Sequence, residues 1–311
     1  MLRLIPSTLM LLAMGLAVIA PSAGCGGKKK AMTVSQLIEK AKKLPTPEAR
    51  AAEFAKIASM RADSKDKKGA EETLGLALAD VPEDGQPLVC VPLLIEIAET
   101  YIGIGQKGSA RKAIELASKM AGTLEEPKGK ATMLSQIGVI QGSSESGLSD
   151  ARGAKRSLDA AAKLASEEVP ERFRGEALAV VAMGYADAGL ANDAKAMIGT
   201  LEELADGLSD LRPKAEAYAA AAAVRAAGGE KEAAEALLSK ASEAAKAIND
   251  FPSNRVYALV AVAKALVANG DKAGAKKLIA DAEKTASKVP DPEQQKAALK
   301  LVRVLQSKLG A

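Results

Sequence analysis

Gly103, Gly105 and Gly108 lie in the stretch YIGIGQKGSARKAIELA, which begins at Tyr101, and they spell G-x-G-x-x-G. The chemistry such a triplet serves is phosphate binding. Backbone N–H groups at a helix start approach a dinucleotide, because no Cβ stands in the way. That chemistry needs a strand before the glycines, a βαβ unit around them and an acid further on for the ribose. Here PLLIEIAETYIG precedes them with helical periodicity, and the nearest acid, Glu125, sits in TLEEPKG, which reads as a connection between helices. No nucleotide cofactor is expected. Other reactive groups are sparse. The chain of 311 residues has no histidine, which removes the commonest general base and metal ligand. The acidic pairs Glu125-Glu126, Glu167-Glu168 and Glu202-Glu203 are sequence neighbours, and adjacent residues on a helix do not face one another. Cys90 stands among Leu88, Val89 and Val91 and reads as a small buried apolar residue. Neither a catalytic constellation nor a metal site is expected, and the chain reads as a non-enzyme.

One cysteine has a different setting. The chain opens MLRLIPSTLMLLAMGLAVIAPSAGCGGKKK, with a charge at Arg3, an apolar run from Leu9 to Ala20, and small residues before Cys25. The run is too short for a comfortable membrane span and has the layout of an export signal. Ser22 to Cys25 resembles the lipobox of bacterial lipoproteins, although Ser22 replaces the leucine usual there. The resemblance implies cleavage before Cys25 and attachment of lipid, palmitate included, to that residue. Residues 1–24 are then a signal peptide and 25–32 a lipidated cysteine and linker. Gly26 in place of aspartate favours the outer membrane, facing the periplasm, in a cell that has one. Two or three acyl chains, at about 0.8 kcal/mol per buried methylene, hold a protein to the bilayer durably. An ordinary signal cut near Ala23, leaving Cys25 a free thiol, is the alternative.

Net charge is +4, from 43 basic and 39 acidic residues, with the signs interspersed. The dense basic runs, Lys28–Lys30 and Lys40–Lys43, lie near the start. They read as a solvated linker and a helix end, with a weak attraction to anionic headgroups secondary. With aromatics at 2% and no tryptophan, the basic stripe and stacking rings of a nucleic-acid binder are missing. Apolar residues make up 48%. The core must therefore be aliphatic and small, and abundant alanine favours helix.

The elements that position these residues recur. An alanine, then Leu or Ile four residues on, then a small or apolar residue three further, mark one helix per unit. Examples are Ala70-Leu74-Ala77, Ala110-Ile114-Ala117 and Ala194-Ile198-Leu201, and the series continues at Ala154, Ala234 and Ala275. These offsets share one helical face. Upstream of each marker is a partner helix anchored by Phe54, Leu94, Leu134, Leu178, Tyr218 or Leu259. Both series advance by 40 or 41 residues except for one step of 44, so four residues are inserted between the helices of the third unit, in QGSSESGLSD. Gly105, Gly189, Gly229 and Gly270 stand five residues before their marker alanines, as helix C-caps do. Breaks between units carry Pro47, Pro82, Pro127, Pro170, Pro213, Pro252 and Pro290, and Thr33–Gln36 and Asp291–Gln294 read as helix N-caps.

The second unit (Leu94, Ile97, Ala98, Tyr101, Gly105, Ala110, Ile114, Ala117) and the fourth (Leu178, Val181, Ala182, Tyr185, Gly189, Ala194, Ile198, Leu201) resemble the tetratricopeptide repeat. The first and third units are degenerate, with Arg61 and Gln141 where tyrosine is usual. The expected fold is an all-α solenoid of about six helix-turn-helix units over residues 33–311, with a core continuous along the array. A HEAT-like arrangement is the rival. The resemblance places the first helix of each pair on the concave side. By position the groove would be lined by Ile95 and Glu99, Ser135 and Val139, Ala179 and Met183, Ala219 and Ala223, and Val260 and Lys264. Such a groove suits a protein or peptide partner, as an amphipathic helix or extended segment. It lacks the repeated Lys/Asn set that clamps a C-terminal carboxylate. The expected function is a lipid-anchored scaffold or assembly protein of the bacterial cell envelope. The alternatives are a ligand-binding or enzymatic accessory domain with its site in the groove, or a structural spacer.

Overall fold

The computed structural model describes residues 32–144 and 146–310. The signal segment, Cys25 and Lys28–Lys30 lie outside the described residues. The rest folds as fourteen helices, with no strand among the described residues. A short α1 (Val34–Ala41) opens the array. Six pairs follow: α2 (Pro47–Asp63) with α3 (Lys67–Ala79), α4 (Pro87–Gly103) with α5 (Lys107–Gly122), and α6 (Pro127–Gly142) with α7 (Ala151–Glu167). Then come α8 (Glu171–Asp187) with α9 (Ala191–Gly207), α10 (Leu211–Ala227) with α11 (Lys231–Ala247), and α12 (Pro252–Ala268) with α13 (Lys272–Ala286). Helix α14 (Pro292–Gly310) closes it.

The ends of these helices follow from local chemistry. Thr33 and Gln36 form a reciprocal capping box, with Thr33 N–H donating to Gln36 Oε1 at 2.9 Å. Asp291 Oδ1 accepts from Gln294 N–H at 2.7 Å. Pro47, Pro87, Pro127 and Pro252 begin their helices, where the missing N–H costs nothing. Pro213 sits inside the first turn of α10 rather than between units, tolerated for the same reason. Gly103 ends α4 and Gly108 lies in α5, so the glycine triplet is an interhelical turn.

That turn is the same in all six pairs. Gly105, Gly189, Gly229 and Gly270 have φ of +91, +79, +82 and +90°, and the non-glycine residues with positive φ are Lys65 (63°) and Ser149 (59°), at the equivalent places of units one and three. In each pair the next N–H reaches back to the first helix. Gln106 N–H donates to Tyr101 O at 2.8 Å and Asp66 N–H to Arg61 O at 2.9 Å. In unit three Asp150 N–H still finds Gln141 O at 2.6 Å, so the four-residue insertion leaves the closure in place. A β-carbon in this conformation costs about 1–2 kcal/mol. Lys65→Gly should therefore raise stability by about 1 kcal/mol after allowing for the freer unfolded chain. Equilibrium denaturation measures this, and an unchanged midpoint would mean that Lys65 is not held left-handed in solution.

The degenerate units close with polar contacts in place of a tyrosine ring. Arg61 donates to Asp66 (2.8 Å) and Thr73 (3.0 Å), and Gln141 accepts from Ser157 (2.8 Å). Arg225, in the same position of unit five, bridges Glu202 and Glu230. Cys90 is fully buried, and burial pushes its thiol above the usual range.

First helices of successive units pack directly on one another from α2 to α14, and each second helix packs on its own partner and on the first helix of the next unit. Successive second helices have no comparable contact. The layer of first helices is therefore the tighter one, and its open side is called the inner face. The core is not one unbroken body. One cluster runs from α1 into α6 (Met133, Ile137, Ile140), and a second runs from Ala131 and α7 to α14. The changeover falls at α6, which places Gly138 where the other first helices place alanine. Leu158 of α7 fills the gap, lodged where a β-carbon on Gly138 would be 2.6 Å from its Cγ and one on Gly184 2.7 Å from its Cδ2.

Candidate functional site: the inner face

All six first helices start in register, so equivalent residues can be compared by counting from each start. At the ninth position Ser135, Ala179, Ala219 and Val260 are buried between neighbouring helices, and Ile95 is half-buried. These four candidate groove residues are therefore packing residues. Small side chains serve there because adjacent first helices approach closely. At the thirteenth position the candidates do reach the surface: Val139, Met183 and Ala223 are half-buried, and Glu99 and Lys264 are exposed. The open line is completed by the tenth position, with Lys56, Glu96, Gln136, Val180, Ala220 and Ala261, none of which is buried. The sixth position adds Pro92, Thr132, Glu176, Glu216 and Tyr257. Steps of four and three residues keep these on one helical face.

The inner face has three zones. The middle, from unit three to unit five, is apolar apart from Gln136: Val139, Val180, Met183, Ala220 and Ala223. The edge at the helix starts is polar and internally satisfied. Lys128 pairs with Glu176 at 2.6 Å and lies 4.9 Å from the Phe173 ring centre, while Arg212 pairs with Glu216 at 2.9 Å and stacks on Tyr257 at 4.5 Å. Arg172 lies 4.6 Å from the same Phe173 ring.

The third zone is unit two. Glu96 and Glu99 are exposed, and neither has an ion-pair partner among the described residues. Yet burial holds both carboxyls above the usual range, opposed by Lys56 at Glu96 and reinforced by Glu96 at Glu99. Asp187, at the far end of α8, is raised by burial in the same way.

The sign of this effect is testable. A carboxyl whose folded pKa exceeds its unfolded value destabilises the fold when ionised, and stability is regained as pH falls through the folded pKa. Glu96→Gln/Glu99→Gln should therefore melt higher than the wild type at pH 7. The advantage should shrink and vanish as the pH is lowered through the carboxylate range. Thermal denaturation across pH checks this, and a lower melting temperature at pH 7 would contradict it.

A separate cavity of about 260 Å³ lies between the start of α12 and the end of α13, lined by Arg255, Asp281, Lys284 and Lys288 among others. Arg255 gives Nη2 to Asp281 at 3.1 Å. Among the described residues no group of three or more Cys, Asp or Glu is arranged to hold a metal ion, and no helix is long and apolar enough to cross a membrane.

No protein-family model matches the chain, and no curated protein matches it. Among solved structures it is similar to Ton1535 from Thermococcus onnurineus NA1, at 18% identity and a TM-score of 0.29, covering 86% of this chain and 83% of that one. It is also similar to the assembly chaperone of RpL4 (Acl4), residues 1–338, at 14% identity and a TM-score of 0.33, covering 89% of this chain and 98% of that one. At these TM-scores neither superposition bears on the inner face. What the chain is stands on its own geometry: a repeat protein built as an all-helical solenoid.

Proposed function

We propose that this chain is a lipid-anchored bacterial envelope protein whose tetratricopeptide-like array binds another protein along its inner face, in a scaffolding or assembly role and without catalysing a reaction. One observation carries the reading. The first helices leave an open apolar strip across three consecutive units, at Val139, Val180, Met183, Ala220 and Ala223, while the ninth-position residues Ser135, Ala179 and Ala219 beneath it are buried between helices. A surface of this kind suits an amphipathic segment laid along it. The anchor rests on the N-terminal sequence, where Ser22 to Cys25 follows an apolar run.

Two experiments test the two halves. Metabolic labelling with palmitate should mark the wild type and fail in Cys25→Ser, and a label that persists in the variant overturns the anchor. For the binding half, Met183→Glu should abolish recovery of a partner crosslinked in intact cells while the helical circular-dichroism signal is kept. Val139→Glu serves as a second variant. Undiminished recovery by both folded variants would rule out the apolar strip as the binding surface.

A further inference from the structure

The inner face is not uniform in charge, and the asymmetry says something about what lies on it. Most of its charged side chains are already matched: Lys128 by Glu176 and Arg212 by Glu216. Lys56 lies 3.7 Å from Glu53. Glu96 and Glu99 are unmatched, and so is Lys264 at the far end of the face, on α12. The two glutamates project from consecutive turns of α4 at the tenth and thirteenth positions, next to the apolar strip that begins at Val139. No described cation lies within ion-pair distance of either, although the Lys56 charge on α2 is felt at Glu96.

Two carboxylates without an ion-pair partner at the end of an apolar strip make that end complementary to a cation and repulsive to an acidic segment. A glutamine at either place would fit the same helix without the charge. A cation arriving from outside would pair with the two carboxylates, and a charge-assisted contact strengthens as a bound segment excludes water from it.

Resting on the reading of the inner face as a protein-binding surface, we propose that its occupant is a partner segment with an apolar stretch flanked on one side by lysine or arginine. The apolar stretch covers Val139, Val180 and Met183, and the basic residue meets Glu96 and Glu99. The spacing follows from the array. Packed helices lie about 8–10 Å apart, so the step from α8 to α4 is roughly 16–20 Å. At 1.5 Å per residue, that places the basic group about 11–13 residues from the contact with Met183 if the segment is helical. An acidic segment would meet like charge at unit two, and a wholly apolar one would leave both carboxylates buried and unpaired, which is worse than leaving them wet.

The test is selection of random peptides displayed on phage against the purified full chain. Peptides that lose binding to Met183→Glu are kept, and one is synthesised and titrated. Enriched sequences should carry Lys or Arg to one side of an apolar stretch. Glu96→Gln/Glu99→Gln should weaken the synthetic peptide about tenfold, the worth of a charged hydrogen bond, and flatten its salt dependence. Enriched peptides that are apolar or acidic, or that bind the double variant as tightly as the wild type, overturn the charge assignment and leave the groove standing. Selection of no peptide, or only of peptides indifferent to Met183→Glu, overturns the groove itself and the inference with it. The double variant is expected to be at least as stable as the wild type, so a loss of binding is not a loss of fold.

Discussion

Leu158→Ala should lower the stability of the array by about 2–5 kcal/mol, the range for emptying a fully buried leucine site. The upper half of that range is expected here. Leu158 is fully buried and is seated against two helices that have no β-carbon facing it, Gly138 of α6 and Gly184 of α8. Glycine backbones cannot move side chains into the hole. The site also lies within unit three, where the core changes over from the cluster that ends in α6 to the one that holds α7. Loss should therefore appear as uncoupling as well as a lower midpoint. Denaturation of Leu158→Ala should split into two transitions or broaden, as expected when nearest-neighbour coupling in a repeat array weakens. A single sharp transition within 1 kcal/mol of the wild type would show that unit three does not carry the join.

Gly138→Ala should cost about 1–3 kcal/mol through overpacking, despite alanine's better helix propensity. The added Cβ would stand 2.6 Å from Leu158 Cγ and 3.2 Å from both of its methyl carbons. These atoms disappear in Leu158→Ala. The double variant should accordingly lose less than the sum of the two single losses, with a coupling of about 1 kcal/mol or more. Gly142→Ala supplies the control. Its Cβ would meet Ala188 Cβ at 2.7 Å and the Ala188 carbonyl oxygen at 2.9 Å, so Leu158→Ala should not relieve it. Additive losses for the Gly138–Leu158 pair would mean that the two side chains do not meet as described.

The repeat was legible because its punctuation is chemical. Glycines five residues before the marker alanines identified four of the six left-handed turns, and the 44-residue step located the insertion in unit three. Lys65 and Ser149 were not legible as the other two, because nothing in their chemistry favours positive φ and only the closure of the neighbouring helices holds them there. The site was legible only to within one residue of helical phase. In helices where the ninth, tenth and thirteenth positions are mostly Ala, Val or Ser, a turn of 100° changes burial without changing composition. Ala179, Ala219 and Val260 were therefore expected in the groove and are buried beside it, whereas Val180, Ala220 and Ala261 are open. A signal was present: Lys56, Glu96 and Gln136 occupy the tenth position of three consecutive units, and long polar side chains in succession do not belong between packed helices. The break in the core was hidden because glycine inside a helix reads as a weak point until its neighbour is known. Leu158, the neighbour of Gly138, lies in the next helix.

If the tight layer of first helices presents the binding surface, site-specific photocrosslinking in intact cells measures it most directly. A photoreactive side chain would be placed in turn at Val180 and Ala220 on the inner face, and at Lys112 and Lys277 on the exposed side of the second helices. Adducts of one defined mass should form from Val180 and Ala220, be lost on adding Met183→Glu, and be missing from Lys112 and Lys277. Adducts from the second helices with none from Val180 or Ala220 would place the binding surface on the outside of the array and contradict the reading.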